Sequence, residues 1–148
     1  MRLPESVKLH WISMPQDVKK LECLIGKPFV GVDAEWRCGA VNAFKNEAEK
    51  GPAVIQLSSE TDACIVDLIG LAKCFDLDNT MTRIFTHPDT CIVGFAFSGD
   101  LRMLNQYMPQ FQFYKNIANL ADLQTYYKTV YTGDAECLKS VSLGAVCK

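Results

Sequence analysis

The stretch Phe29-Val30-Gly31-Val32-Asp33-Ala34-Glu35-Trp36 decides how this chain is read. Phe29, Val30, Val32 and Trp36 favour an extended strand. Side chains alternate between the two faces of a strand, so Asp33 and Glu35 project from the same face. Two like charges side by side repel, and burying them unpaired is costly. A cation between them is the simplest compensation.

Further strands extend outward from this one. Ala53–Ser58 and Ala63–Leu68 have strand composition and are joined by the turn-like Ser59-Glu60-Thr61-Asp62. With Phe29–Trp36 they predict an antiparallel meander. Val7, Leu9 and Trp11 alternate in an earlier strand, Val7–Ile12. Val18, Leu21, Leu24 and Ile25 repeat at helical spacing, predicting a helix over Pro15–Ile25 that Gly26-Lys27-Pro28 stops. Residues 37–51 are polar and irregular, as in a loop.

Beyond the meander the period lengthens. Leu68–Phe75 and Asn79–Phe85 read as helices, and Cys91–Phe95 as a short strand. Ser98 is placed as the N-cap of a helix with Leu101, Leu104 and Met108 on one face, ended by Pro109. Ile117–Leu120 reads as a strand and Asp122–Tyr131 as a helix that Gly133 breaks. Lys139–Val146 resembles the start of another helix. Strands first, then alternating helix and strand, predict an α/β sheet of mixed direction flanked by helices.

The 148 residues suffice for one domain with a core, and no repeat or linker divides them. Hydrophobic content is 49% and charged content 22%, as in a globular protein. A net charge of -2, from 15 basic and 17 acidic residues, neither points to a polyanionic partner nor excludes one. No apolar run is long enough for a membrane span, and the N-terminal segment lacks the apolar centre of a signal peptide. The expectation is an intracellular protein, cytoplasmic or nuclear. Seven cysteines, at 23, 38, 64, 74, 91, 137 and 147, contain no C-x-x-C pair. With only His10 and His87, no zinc-ligand spacing emerges, and free thiols in a reducing compartment are expected. His10 is assigned to a strand surface and His87-Pro88-Asp89 to a turn.

A third acid joins the pair. Asp100 falls just inside the helix after Cys91–Phe95, and sites in α/β sheets form where strands end and helices begin. Its simpler role is to complement the helix dipole. Asp67, Asp89 and Asp122 lie near element edges and read as solvated or capping residues. Asp33, Glu35 and Asp100 together would make an all-oxygen cluster of the kind Mg²⁺ and Mn²⁺ prefer. Two such ions are the machinery of phosphodiester hydrolysis.

Four segments carry a family resemblance: V-G-V-D-A-E-W at 30–36, A-V-I-Q-L at 53–57, C-I-V-D-L at 64–68 and V-G-F-A-F-S-G-D-L at 93–101. In this order and spacing they resemble the 3′-to-5′ exonuclease domain of the DEDD superfamily, in its RNase D and Werner-type branch. The similarity spans Phe29–Leu104 and extends more weakly through Ala118–Leu123. It implies an RNase H-like fold, two Mg²⁺ or Mn²⁺ ions, and Asp33, Glu35 and Asp100 as catalytic metal ligands. Gln56 falls in the family's I-Q-L strand signature. Trp36 follows the acid pair as in the subgroup of Nibbler-like RNA trimmers, and its simpler role is core packing. Phe97 and Leu101 are placed against the terminal nucleotide, and Trp36 and Arg102 against the nucleic acid. Other basic candidates are Arg37, Lys45, Lys50 and Lys115.

The family's third motif, Tyr-x-x-x-Asp, is absent. Tyr131-Thr-Gly-Asp134 is one residue too short and precedes Ser140–Ala145, which resembles the family's stretch just upstream of that motif. The resemblance therefore implies a domain, residues 1–148, that ends about 40 residues early and lacks C-terminal helices, as a fragment, an isoform or a degraded copy. Three functions follow. The first is a metal-dependent exonuclease on single-stranded RNA or DNA 3′ ends, with Asp122 or Asp134 as candidates for a fourth carboxylate. The second is a catalytically incomplete module that grips a nucleic-acid 3′ end or a protein partner. The third is a structural domain with relic acids. The D-A-E-W wording leans towards RNA, whereas the Werner-type branch acts on DNA. A protein that delivers the RNA is a further expected partner, and a membrane is not.

Overall fold

The computed structural model describes residues 4–37 and 51–130. Its strands are β1 (Lys8–Ile12), β2 (Phe29–Trp36), β3 (Pro52–Ser58), β4 (Asp62–Asp67), β5 (Cys91–Gly94) and β6 (Leu120–Asp122). They form a six-stranded sheet in the order β1-β4-β3-β2-β5-β6. β2, β3 and β4 are the predicted antiparallel meander. β1 joins β4 in parallel, and β5 and β6 extend the sheet in parallel beyond β2. The expected mixed sheet is present, and its outer pairs are the parallel ones.

The helices are α1 (Phe75–Phe85), α2 (Phe97–Tyr107) and α3 (Leu123–Val130), with a 3-10 helix at Pro15–Leu24. The segment predicted as α-helix over 15–25 thus takes the tighter form. Its apolar residues Val18, Leu21 and Leu24 are buried all the same. They meet Leu77, Met81, Ile84 and Phe85 of α1 in one core that lies against Val30, Val32, Ile55, Leu57 and Val66 of the sheet. Each such side chain contributes about 1.5–3 kcal/mol on burial. Phe85 and Phe113 meet edge-on at 5.3 Å, and Asp78 Oδ1 accepts the N–H groups of Gln112 at 2.7 Å and Phe113 at 3.1 Å. The loop after α2 is thereby fixed on the core.

Two predicted elements differ. Residues 68–73 are turns rather than helix. Asp67 Oδ1 accepts from Ile69 N at 3.0 Å and Gly70 N at 2.9 Å, a local bond pattern that competes with a helical ladder. The strand expected at Ile117–Leu120 lies later, at Leu120–Asp122. Its backbone follows β5, pairing Ile92 with Leu120 and Gly94 with Asp122. The expected loop over 38–50, the break at Gly133 and the helix at Lys139–Val146 lie outside the described residues. No helix among the described residues is long and apolar enough to cross a membrane.

Candidate metal and active site

On β2 the pleat separates two sets of side chains. Val30, Val32 and Ala34 are buried in the core, and Asp33 and Glu35 are exposed on the opposite face. Asp33 faces Gln56 across β3, and Glu35 faces Val54. Gln56, read in the sequence only as a strand signature, therefore stands beside the first acid on the same face. A groove of about 740 Å³ runs over this face, lined by Asp33, Gln56, Ser58, Val93, Phe95 and Leu123 among others.

β5 runs parallel to β2 and delivers the chain into α2 beside the acid pair. The passage from strand to helix is abrupt. A Cβ on Gly94 would come within 2.6 Å of the Cβ of Phe97, so only glycine permits the approach. Ala96 then adopts a left-handed conformation, φ 55° and ψ 24°, and is the N-cap of α2. Ser98 is therefore inside the helix, and the predicted cap moves two residues earlier. Ala96 has no side chain able to cap. The task falls to Asp122, whose Oδ1 accepts Ala96 N–H at 3.0 Å and whose Oδ2 accepts Ser98 N–H at 3.5 Å. Oδ1 also accepts from Gln124 N at 3.0 Å and Thr125 N at 3.4 Å at the start of α3. One carboxylate from β6 thus secures the N-terminal ends of two helices.

Asp100 sits in the first turn of α2, partly buried. Burial, then the charge of Asp33, then those of Glu35 and Asp122, push its carboxyl up to about 6, against a hydrogen bond from the Trp36 side chain that holds it down. The three expected ligands therefore come within electrostatic reach of one another. Among the described residues no Lys or Arg forms an ion pair with Asp33, Glu35 or Asp100. The oxygens of the three acids do not gather within 4.8 Å of one another, but three carboxylates with no paired Lys or Arg among the described residues are of the donor type a hard divalent cation takes.

The other candidates are distributed differently. Phe97 is wholly buried and packs behind Gly94, so its ring belongs to the core rather than to a nucleotide-facing surface. Leu101 is partly buried and also packs on the core. Arg102 is exposed on α2, and Arg37 follows β2 directly. Lys115 donates to the Pro109 carbonyl at 3.0 Å and lies over the Tyr114 ring. Lys45, Lys50, Tyr131 and Asp134 lie outside the described residues. Asp122, a candidate fourth carboxylate, has both oxygens engaged by backbone N–H groups.

The fold is the RNase H-like one of DEDD-type 3′-5′ exonuclease domains. Within that class the Nibbler EXO domain of Aedes aegypti superposes with a TM-score of 0.70 at 20% identity, over 91% of this chain and 61% of that one. RNase D of Escherichia coli, described as an exoribonuclease involved in structured RNA processing, gives 0.63 at 14% identity, over 94% of this chain and 32% of that one. RNase D of Trypanosoma brucei, in complex with RNA U12, gives 0.61 at 16% identity, over 82% and 39%. The chain thus spans less than two thirds of each. No family model matches the chain, and no curated protein matches it in sequence.

Proposed function

We propose that the chain is a 3′-5′ exonuclease domain that hydrolyses single-stranded nucleic acid, RNA in preference to DNA, by two-metal-ion chemistry. The observation that supports the reading is that the charges of Asp33 and Glu35 on β2 reach Asp100 on α2, with no Lys or Arg among the described residues paired to the three. RNA is favoured because a structural neighbour was solved with RNA U12 and another is described as an exoribonuclease. Mg²⁺ or Mn²⁺, held by these three side chains, would lower the pKa of the attacking water and stabilise the leaving oxygen.

The residues themselves have separable roles. Asp33 and Glu35, fixed on a strand that pairs with β3 along this stretch and with β5 just before it, give a rigid half of the site. Asp100 enters from a helix whose start Asp122 ties down. Trp36 orients the Asp100 carboxylate. Arg102 and Arg37 contact phosphates, and the groove beside Asp33 receives the terminal nucleotide. A second reading has a specific support. Asp122 is committed to backbone N–H groups, so no fourth carboxylate is free among the described candidates. The chain would then bind a 3′ end or a protein partner without cutting.

The test is degradation of 5′-labelled single-stranded RNA and DNA with Mn²⁺ or Mg²⁺, using the full chain, Asp33→Asn and Asp100→Asn. A ladder of shortening products that both variants abolish supports the exonuclease. Folded wild-type chain that binds the RNA but yields no ladder supports the binding module instead.

A further inference from the structure

A second cluster of ligand-type side chains lies at the other end of the sheet. His10 on β1 and Cys64 on β4 are register partners, so their side chains share a face. Asp62, two residues before Cys64 on the same strand, shares it too. Cys23 reaches the corner from the 3-10 helix that packs there. His10 Nε2, Cys23 Sγ and an Asp62 carboxylate oxygen all lie within 4.8 Å of one another. Cys23 and Cys64 are also in side-chain hydrogen-bond contact.

We infer that His10, Cys23 and Asp62 bind a single zinc-class divalent ion. A thiolate, an imidazole nitrogen and a carboxylate oxygen are donors of the type zinc takes, with the fourth position left to water. The spacing 10, 23, 62 contains no sequence signature, because three separate elements supply the ligands. The corner is separated from the strand of Asp33 by β3, and it faces the core side of the sheet, whereas the acid pair faces the other side. The softer donors also distinguish it from an Mg²⁺ or Mn²⁺ site.

The groups are partly prepared for the ion. Asp62 is already a carboxylate, held below its usual range by hydrogen bonds from Thr61 at 2.7 Å and His10 at 2.9 Å. The thiols are not. Burial raises Cys23, and burial together with Cys23 pushes Cys64 up to about 12. Without an ion both remain protonated. On binding, the Cys23 thiol releases a proton to solvent, and His10 gives up its Nε2–H bond to Asp62, moving its ring proton to Nδ1 so that Nε2 faces the ion. Affinity therefore rises with pH. Lys27, near Asp62 and bonded to Thr61 Oγ1 at 3.4 Å, is the nearby positive charge that the ion has to tolerate.

The experiment titrates the full reduced chain with Co²⁺ as a spectroscopic probe, then with Zn²⁺. The expected result is one equivalent of Co²⁺ with sulfur-to-metal charge-transfer bands and tetrahedral visible bands, displaced by Zn²⁺. Cys23→Ser and His10→Gln, checked for folding by circular dichroism, should lose the bands, and Asp33→Asn should keep them. The variant lacking Cys38, Cys137 and Cys147 keeps all three ligands and should also keep them. Bands that survive Cys23→Ser, bands that vanish with those three cysteines, or no bands from folded wild-type chain would each overturn the site. So would a Cys23–Cys64 disulfide as the native state of the pair.

Discussion

The side chain of Trp36 donates a hydrogen bond to the carboxylate of Asp100, joining the end of β2 to the first turn of α2. The only donor on that side chain is the indole N–H. Trp36 lies just past an irregularity in the sheet, where β2 pairs Trp36 with Pro52 instead of Ala53. Such a bulge turns the side chain that follows it. The same strand that carries Asp33 and Glu35 thus also supplies the group that positions the third acid.

Trp36→Phe keeps the ring and removes the donor. A hydrogen bond to the ionised carboxylate favours that form, so its loss should raise the Asp100 carboxyl further above about 6. For a partly exposed group the effect is about 1 kcal/mol. Mn²⁺ affinity should then fall about threefold at pH 6 and less at pH 8, where Asp100 ionises in either protein. Carboxyl NMR titration checks this directly. An Asp100 titration curve unchanged in the variant would remove Trp36 from this role.

Stability should depend on pH through the same group. Asp100 titrates at the usual 3.8 in the unfolded chain and at about 6 in the folded one. Between those values the folded state holds a proton that the unfolded state has lost. The contribution of Asp100 is therefore fullest below 3.8, declines as the pH rises through the window, and stays low above about 6. Exposure to solvent moderates the size of the change. Asp100→Asn, neutral throughout, should melt a few degrees above wild type at pH 8, with the gap closing towards pH 4. A gap independent of pH in thermal melts would contradict the repulsion among the three acids.

Asp122 should behave as a structural residue and not as a ligand. Asp122→Ala leaves the starts of α2 and α3 without their acceptor and should cost about 1–3 kcal/mol. Asp122→Asn retains one carbonyl oxygen for Ala96, Gln124 and Thr125, and should recover most of that loss. In both variants the Mn²⁺-induced rise in melting temperature should persist. Its disappearance in a folded Asp122→Asn chain, seen by calorimetry, would make Asp122 a metal ligand after all.

Much of this was legible in the sequence, because short-range pattern determined it. The alternation Val30, Val32, Ala34 against Asp33 and Glu35 gave the strand its faces, and the turn residues 59–62 gave the meander its direction. Ser98 misled because a serine before a helical repeat is a good cap. Here a carboxylate 24 residues further on takes the role, and a partner that distant leaves no local trace. Asp67 turned a predicted helix into turns through bonds to its own neighbours, which periodicity does not register. The His10 corner escaped notice for the same reason as Asp122: its members meet only through strand register and helix packing.

The parallel pairing of Phe29 with Cys91 and Gly31 with Val93 has a kinetic consequence. Neighbouring strands of the meander close short loops and can form early, whereas β2 and β5 must close a loop of about 60 residues before α2 is held beside the acid pair. The closure that brings Asp100 beside Asp33 and Glu35 therefore spans the longest loop among the described strand pairings. A chain that has formed only the hairpins carries two of the acids without the third.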